Sequence, residues 1–385
     1  MDKFLIKGPC KVKGTVNISG SKNASLPILA ASILFDEMVE IKNLPNVRDI
    51  DTMLSLIKSL GFNVKQNKNS NSVVIKKSKK INTFASYSLV KTMRAGILVL
   101  GPLITKFGKA KTSLPGGCLI GARPINYHLN ALKKLGMNYK IEKGYVNAFA
   151  KSKLTGSNIF FPKISVGATE NAILAATLAN GKTILKNCAI EPEIKNDLTN
   201  FLNQAGEKIK WIGKRTVEIK GFDPKLINTE LNLLKKVGAK IKINEKLISI
   251  VGPEKIKPIK NIVTKEWPGV ATDMQSQLMV LMCRANGKST ITENIFENRF
   301  LHVGELQRLG ADIQVKKNKA IIRGNTKFVG AEVMSSDLRA SVALVLAAII
   351  SNGKSTINRI YHLDRGYEKI EKKLTKIGVN IKRIS

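Results

Sequence analysis

Leu132-Lys133-Lys134-Leu135-Gly136-Met137-Asn138-Tyr139-Lys140-Ile141 is the stretch that decides the architecture. An amphipathic helix runs into a glycine, and strand-like residues follow at once. Glycine takes up the left-handed backbone that stops a helix. The same device recurs at Gly61, Gly206, Gly238, Gly310 and Gly378. Along the chain the six glycines are 75, 70, 32, 72 and 68 residues apart. A period this regular marks a repeat architecture.

Outward from each glycine the pattern extends to an earlier small apolar helix, a turn such as Gly-Lys-Ser/Thr, and short strands. The spacing predicts compact α/β units of βαβαββ type, three to a domain. The fold class is therefore α/β, with two domains and six repeat units. Residues 21–222 form the first domain, and residues 1–20 with 223–385 form the second. The 32-residue interval from Gly206 to Gly238 is about forty residues short, so the fourth unit is expected to be truncated. Without its first helix, that unit should expose an apolar patch and weaken the second domain.

Composition narrows the function. The 385 residues carry 64 Lys and Arg against 28 Asp and Glu, a formal charge of +36. Apolar residues make up 43% and charged residues 24%, which excludes disorder. The positive charge is mostly lysine spread along the whole chain. Aromatics are only 5%, which is poor for base stacking. No nucleic-acid partner is expected, and small anionic substrates are the better account of a cationic cleft. No apolar run reaches the ~18 residues of a membrane span, so no membrane insertion is expected. Met1–Ile6 lacks a secretory signal, and the four cysteines form no CxxC pair. Both point to a reducing cytoplasm without disulfides. The turns at Gly181, Gly287 and Gly353 resemble a P-loop only locally. Five positions earlier stand Ala176, Met282 and Ala348, where a P-loop needs glycine.

Superposing the repeats aligns two sets of residues. The first helices open at Ser19–Asn23, Lys91–Arg94, Val166–Thr169, Ala271–Met274 and Ser336–Arg339. Lys22, Arg94 and Arg339 place cations near the positive end of a helix, which favours an anion there. The second set, Arg48, Arg123 and Arg365, lies thirteen residues before a repeat glycine. These are expected at the start of the second helix, where arginine suits carboxylate or phosphate. Arg48 reads as an ordinary surface arginine. The loop Ser113–Pro124 is rich in Gly and Pro and is expected to be mobile. Its Cys118, beside Arg123, is a candidate reactive thiol. Cys10, Cys188 and Cys283 read as buried. His128 and His302 each lie eight residues before a repeat glycine, which suggests a shared place in the second helix. No histidine pair has ligand spacing, so no metal is assigned.

Together these motifs resemble the bacterial UDP-N-acetylglucosamine enolpyruvyl transferase family. The resemblance rests on Ser19–Leu29, Leu89–Ala95, Leu114–Pro124, Lys163–Thr169, Thr272–Gln277, Phe296–Leu306, Ser336–Ser341 and Arg359–Tyr367. It covers essentially the whole chain except the short unit. It implies a two-domain inside-out α/β barrel. It also implies transfer of the enolpyruvyl group of phosphoenolpyruvate to the 3-hydroxyl of UDP-N-acetylglucosamine, with release of phosphate. This is the first committed step of peptidoglycan synthesis. No organic cofactor or catalytic metal is implied.

Carried over by motif, Lys22, Arg123 and Arg365 hold phosphoenolpyruvate. Asn23, Arg94, Pro124, Ile125, Asn126, Tyr127, Lys163, Ser165, Val166, Gly167 and Ile295 match the sugar-nucleotide site. Arg299, Asp337 and Arg339 join the substrate-binding set. Asp273 matches the base for the 3-hydroxyl. Cys118 matches the thiol that protonates the methylene carbon and is alkylated by fosfomycin. Three departures stand out: Leu98 where the family often has Trp, Val270-Ala271 in place of Phe-Pro, and the short fourth unit. Two other readings are weighed, a 5-enolpyruvylshikimate-3-phosphate synthase-type transferase and a degenerate homologue that keeps ligand binding. The sequence leaves the oligomeric state open.

Overall fold

The computed structural model describes residues 2–115, 125–206, 208–212, 215–219, 228–243, 247–266 and 269–384. The chain divides into two compact units. One takes the described residues of 19–224, the other those of 2–18 and 228–384. Each has its own apolar core. No helix among the described residues is long and apolar enough to cross a membrane.

The first helix of the repeat is the organising element. Leu338–Ile350 reads LRASVALVLAAII, and nearly every side chain after its first turn is buried. Val166–Ala176 is buried from Ala168 to Ala175, and Lys22–Ala31 is similarly enclosed. A helix apolar on almost every side must lie inside. The strands alternate instead: Phe62–Asn67, Ser72–Lys77 and Tyr145–Ala150 each bury one face and leave the other open. Antiparallel sheets tolerate water on one face.

The strand pairing follows the expected βαβαββ order. In Phe84–Ala85, Lys109–Ser113, Met137–Glu142 and Tyr145–Ala150, the spatial order is first, second, fourth, third. The first pair is parallel and the other two are antiparallel. The sheets within residues 158–219 and 261–323 repeat this order. The C-terminal sheet borrows a strand. Lys3–Gly8 inserts antiparallel between Gly353–Asn358 and Ile381–Ile384, burying Phe4 and Ile6. Val39–Ile41, Phe62–Asn67 and Ser72–Lys77 form a three-stranded sheet. All six repeat glycines have φ between 93° and 107°, the left-handed region required of them. The Gly-Lys-Ser/Thr segments at Gly287 and Gly353 lead straight into strands, as turns between helix and strand should.

Two expectations need correction. Arg365 does not open a helix: it caps the C-terminus of the single turn Tyr361–Asp364, and the next helix, Ile370–Thr375, starts later. Lys369, at φ 44°, breaks the path between them. Arg48 does open the Arg48–Ser59 helix, at the surface. Cys10 is half-buried rather than enclosed, with its thiol donating to the Lys7 carbonyl at 3.2 Å. Cys188 and Cys283 are buried, and burial pushes both thiols up to about 12.

The region after Gly206 differs from the rest. The helix Asn228–Lys236 anchors on the core through Leu233 and Val237. Among the described residues, the strands Lys240–Ile243 and Ile248–Val251 pair only with each other. Ile243, Leu247, Ile250 and Val251 are each at least half exposed. These side chains lose little on unfolding. Ile250→Lys is expected to change stability by no more than ~0.5 kcal/mol. Leu344→Ala, which empties a fully buried site, should cost ~2–5 kcal/mol. Denaturant unfolding of both variants checks the contrast.

Candidate active site

Within the unit of residues 19–224, helix starts carry the candidate residues. Ser21 caps Lys22–Ala31, accepting the Ala24 N–H at 3.2 Å. Lys22 therefore sits at the positive end of this helix, an unfavourable place for a cation. The structure offsets it with Asp49, whose Oδ2 lies 3.2 Å from the ammonium. Both side chains are largely buried, at 14% and 6% exposure, so neither can lose its partner cheaply. Asn23 is exposed beside them.

A second group gathers around His128. Ile125 caps the Asn126–Lys134 helix, which carries Asn126, Tyr127 and His128 in its first turn. Ser165 caps Val166–Ala176, accepting the Ala168 N–H. A side chain on Gly167 would press on His128, within 3.1 Å of Cε1. Asn171 ties the group together. It donates to the Ile97 carbonyl and to His128 Nδ1, and accepts the Gly101 N–H at 2.8 Å. Burial, and then the Arg94 charge, lower the His128 pKa to about 3. The imidazole is thus neutral, with Nδ1 free to accept. Arg94, Tyr127, Ser165, Val166 and Gly167 therefore belong to one neighbourhood. Lys163 is exposed just before it. Leu98 is part of the core.

In the other unit the centre is Asp273, in the single turn Thr272–Met274 that leads into Gln275–Arg284. Arg299 Nη2 donates to Asp273 Oδ1 at 3.0 Å, and Arg339 Nη2 to Oδ2 at 2.5 Å. Arg339 also donates to the Tyr367 hydroxyl at 3.1 Å and lies over its ring. Burial works against the Arg339 charge, but Asp273 and Tyr367 outweigh it and raise its pKa. Asp337 caps Leu338–Ile350, its Oδ1 accepting the Arg339 and Ala340 N–H groups. Ala271, next to Thr272, donates its N–H to Glu230 at 3.3 Å. Ile295 is half-buried in the loop before Arg299. Arg365 is half-buried, and with burial it lowers the pKa of His362. His302 is fully buried, and desolvation lowers its pKa to about 4.

Cys118, Arg123 and Pro124 lie outside the described residues, as does the rest of residues 116–124. Among the described residues no His, Cys, Asp and Glu cluster could hold a metal ion.

The family profile described as EPSP synthase (3-phosphoshikimate 1-carboxyvinyltransferase) matches residues 6–231 and 211–374. A UDP-N-acetylglucosamine 1-carboxyvinyltransferase of Pelagibacter ubique is 56% identical over 421 aligned positions, covering 100% of both chains. This chain belongs to the UDP-N-acetylglucosamine 1-carboxyvinyltransferases. The enzyme of that name from Trichlorobacter lovleyi is 45% identical, again over 100% of both chains. Among solved structures, the enolpyruvyl transferase NikO of Streptomyces tendae superposes with a TM-score of 0.88 at 21% identity, covering 99% of this chain and 98% of its own. EPSP synthase of Acinetobacter baumannii gives 0.77 at 17% identity over 100% of both. These two share the fold.

Asp49, Tyr367 and the Asn171 network escaped the sequence reading. Asp49 reads as an ordinary acidic residue in a first helical turn. Its pairing with Lys22 spans 27 residues and needs the folded chain.

Glu170 carries a consequence for stability. It is fully enclosed in the helix that Ser165 caps, and burial, then Glu193 and Glu191, raise its pKa to about 8. The folded state therefore holds this carboxyl neutral, whereas the unfolded chain ionises it above its ordinary 4.5. Stability is full below that value and is lost as pH rises toward about 8. Glu170→Gln should accordingly gain stability over the parent at pH 8 and little at pH 4.5. Thermal unfolding of both proteins across that range checks the sign.

Proposed function

We propose that this chain transfers the enolpyruvyl group of phosphoenolpyruvate to the 3-hydroxyl of UDP-N-acetylglucosamine and releases phosphate, within peptidoglycan synthesis in the cytoplasm. Full-length identity with enzymes of that name supports the reaction. The observation that carries the site is Asp273, clasped by two guanidinium groups at a helix entrance.

In this reading Asp273 takes the proton of the 3-hydroxyl. The sugar oxygen then forms a bond to C2 of phosphoenolpyruvate, while Cys118 protonates the methylene carbon. The C2–O bond to phosphate then breaks, phosphate leaves with the proton that Asp273 had taken, and the new methyl group gives a proton back to the Cys118 thiolate as the double bond is restored. Lys22, Arg123 and Arg365 hold the donor's phosphate and carboxylate. Asn23, Arg94, Pro124–Tyr127, Lys163, Ser165–Gly167 and Ile295 bind the sugar nucleotide. Arg299 and Arg339, which flank the base, and Asp337 complete the substrate-binding set. General acid–base help of this kind is worth ~10²–10⁴-fold.

The six-unit count and the shortened fourth unit belong to the same proposal. Two facts support the shortening. Among the described residues, the sheet of Lys240–Ile243 and Ile248–Val251 has two strands. The alignment with the Pelagibacter ubique enzyme, at 421 positions, exceeds the 385-residue chain by 36.

Asp273→Asn tests the base. The amide still hydrogen-bonds the 3-hydroxyl, so sugar-nucleotide affinity should stay within about tenfold. Turnover should fall by at least about a hundredfold. Parental kcat in this variant would contradict the assignment. Fosfomycin tests the acid. Peptide mapping should find Cys118 labelled first, and faster with UDP-N-acetylglucosamine present. First labelling of Cys10, the half-buried thiol, would overturn it.

A further inference from the structure

Glu293 has no role in the site described so far, yet it is a carboxylate at 3% exposure, just past the strand Lys288–Thr292. Four donors converge on it. Oε1 accepts the Thr264 hydroxyl at 2.9 Å, the Ile295 N–H at 2.8 Å and the Phe296 N–H at 3.2 Å. Oε2 accepts the Thr272 hydroxyl at 2.9 Å. Thr264 extends the set by accepting the Asn294 N–H at 3.0 Å. One buried carboxylate thus joins a strand end, the turn that begins at Thr272, and the loop of residues 294–296. Carboxylates bonded in this way are strong, directional anchors.

Each anchored segment bears on Asp273 or its partner. Thr272 is its neighbour in the chain, and the Thr272 carbonyl accepts from Arg299 Nη2 at 3.4 Å. The same Nη2 donates to Asp273 Oδ1. The Phe296 ring lies 5.7 Å from the Arg299 guanidinium carbon. Ile295 is one of the sugar-nucleotide residues in the reading above. We infer that Glu293 is a positioning residue that fixes Thr272, Phe296 and Ile295, and through them aims the Asp273–Arg299 pair at the acceptor hydroxyl. This rests on Asp273 serving as the base.

A misplacement on the order of 1 Å can cost ~10²-fold in rate. Glu293→Gln keeps the shape but gives up the charge and puts an amide N–H₂ in place of one of the two accepting oxygens. It should lower kcat by roughly tenfold or more. It should raise KM for UDP-N-acetylglucosamine and leave KM for phosphoenolpyruvate unchanged, a split that general destabilisation would not produce. Thr272→Val removes one donor without changing volume and should follow the same pattern, while Thr272→Ser restores the hydroxyl and the rate. In an Asp273→Asn background, Glu293→Gln should add no further loss, because the two act as one unit. If Glu293→Gln does not fold, the Thr272→Val and Thr272→Ser pair decides. Parental kcat in Glu293→Gln and Thr272→Val, with Asp273→Asn inactive, overturns the inference and leaves the base in place. Parental kcat in Asp273→Asn removes the base itself, and the inference with it. An additive loss in the double variant also overturns it.

Discussion

A helix that is apolar on nearly every side has to be covered all round, and this constraint sets much of what each unit becomes. Leu338–Ile350 and Val166–Ala176 cannot lie on a surface, so neighbouring helices cover them, joined at Leu338–Ile350 by the strands Lys3–Gly8 and Gly353–Asn358. The ends of such helices are where backbone N–H groups emerge unpaired. Ser21, Ser165 and Asp337 occupy those ends as caps. The candidate residues follow each cap or lie next to it. Burial of the helix thus fixes the position of the chemistry, because the cap cannot move without unpacking the core.

The same ends create an electrostatic problem that the protein solves internally. Lys22 and Arg339 stand near positive helix termini, and each has a carboxylate partner, Asp49 and Asp273. The cations are therefore held in place without needing a ligand to stabilise them. In the proposed reaction, an anionic substrate reaching Arg339 would enter a cluster already assembled. Pre-organisation of this kind removes reorganisation from the reaction step. Asp273 gains by it as well, since two guanidinium groups fix both of its oxygens.

Much of this was legible in the sequence, for local reasons. A glycine after Leu135 stops a helix whatever the rest of the chain does, and all six such glycines proved left-handed. Caps are equally local, so the helix starts at Lys22, Val166 and Leu338 could be located from their neighbours. Arg365 failed because counting back from Gly378 assumes one continuous helix, and Lys369 interrupts it. The pairing of Lys3–Gly8 with Gly353–Asn358 joins the two ends of the chain, and no local pattern announces it. Asp49 and Glu293 are ordinary acidic residues until folding brings Lys22 and Thr272 to them.

The region after Gly206 is where repeat logic and packing meet. Its helix still reaches the core through Leu233 and Val237, while its hairpin stays open to solvent. Glu230 in that helix nevertheless holds the Ala271 N–H beside Thr272, so the region stays tied to the turn that carries Asp273. Whether the folded chain carries out the proposed transfer is the central question. The most direct measurement is transfer itself, followed by phosphate release and by the mass of the acceptor. With phosphoenolpyruvate present, UDP-N-acetylglucosamine should gain the carboxyvinyl group in step with phosphate, and shikimate 3-phosphate should gain nothing. Transfer to shikimate 3-phosphate alone, or to neither acceptor by a folded protein, would contradict it.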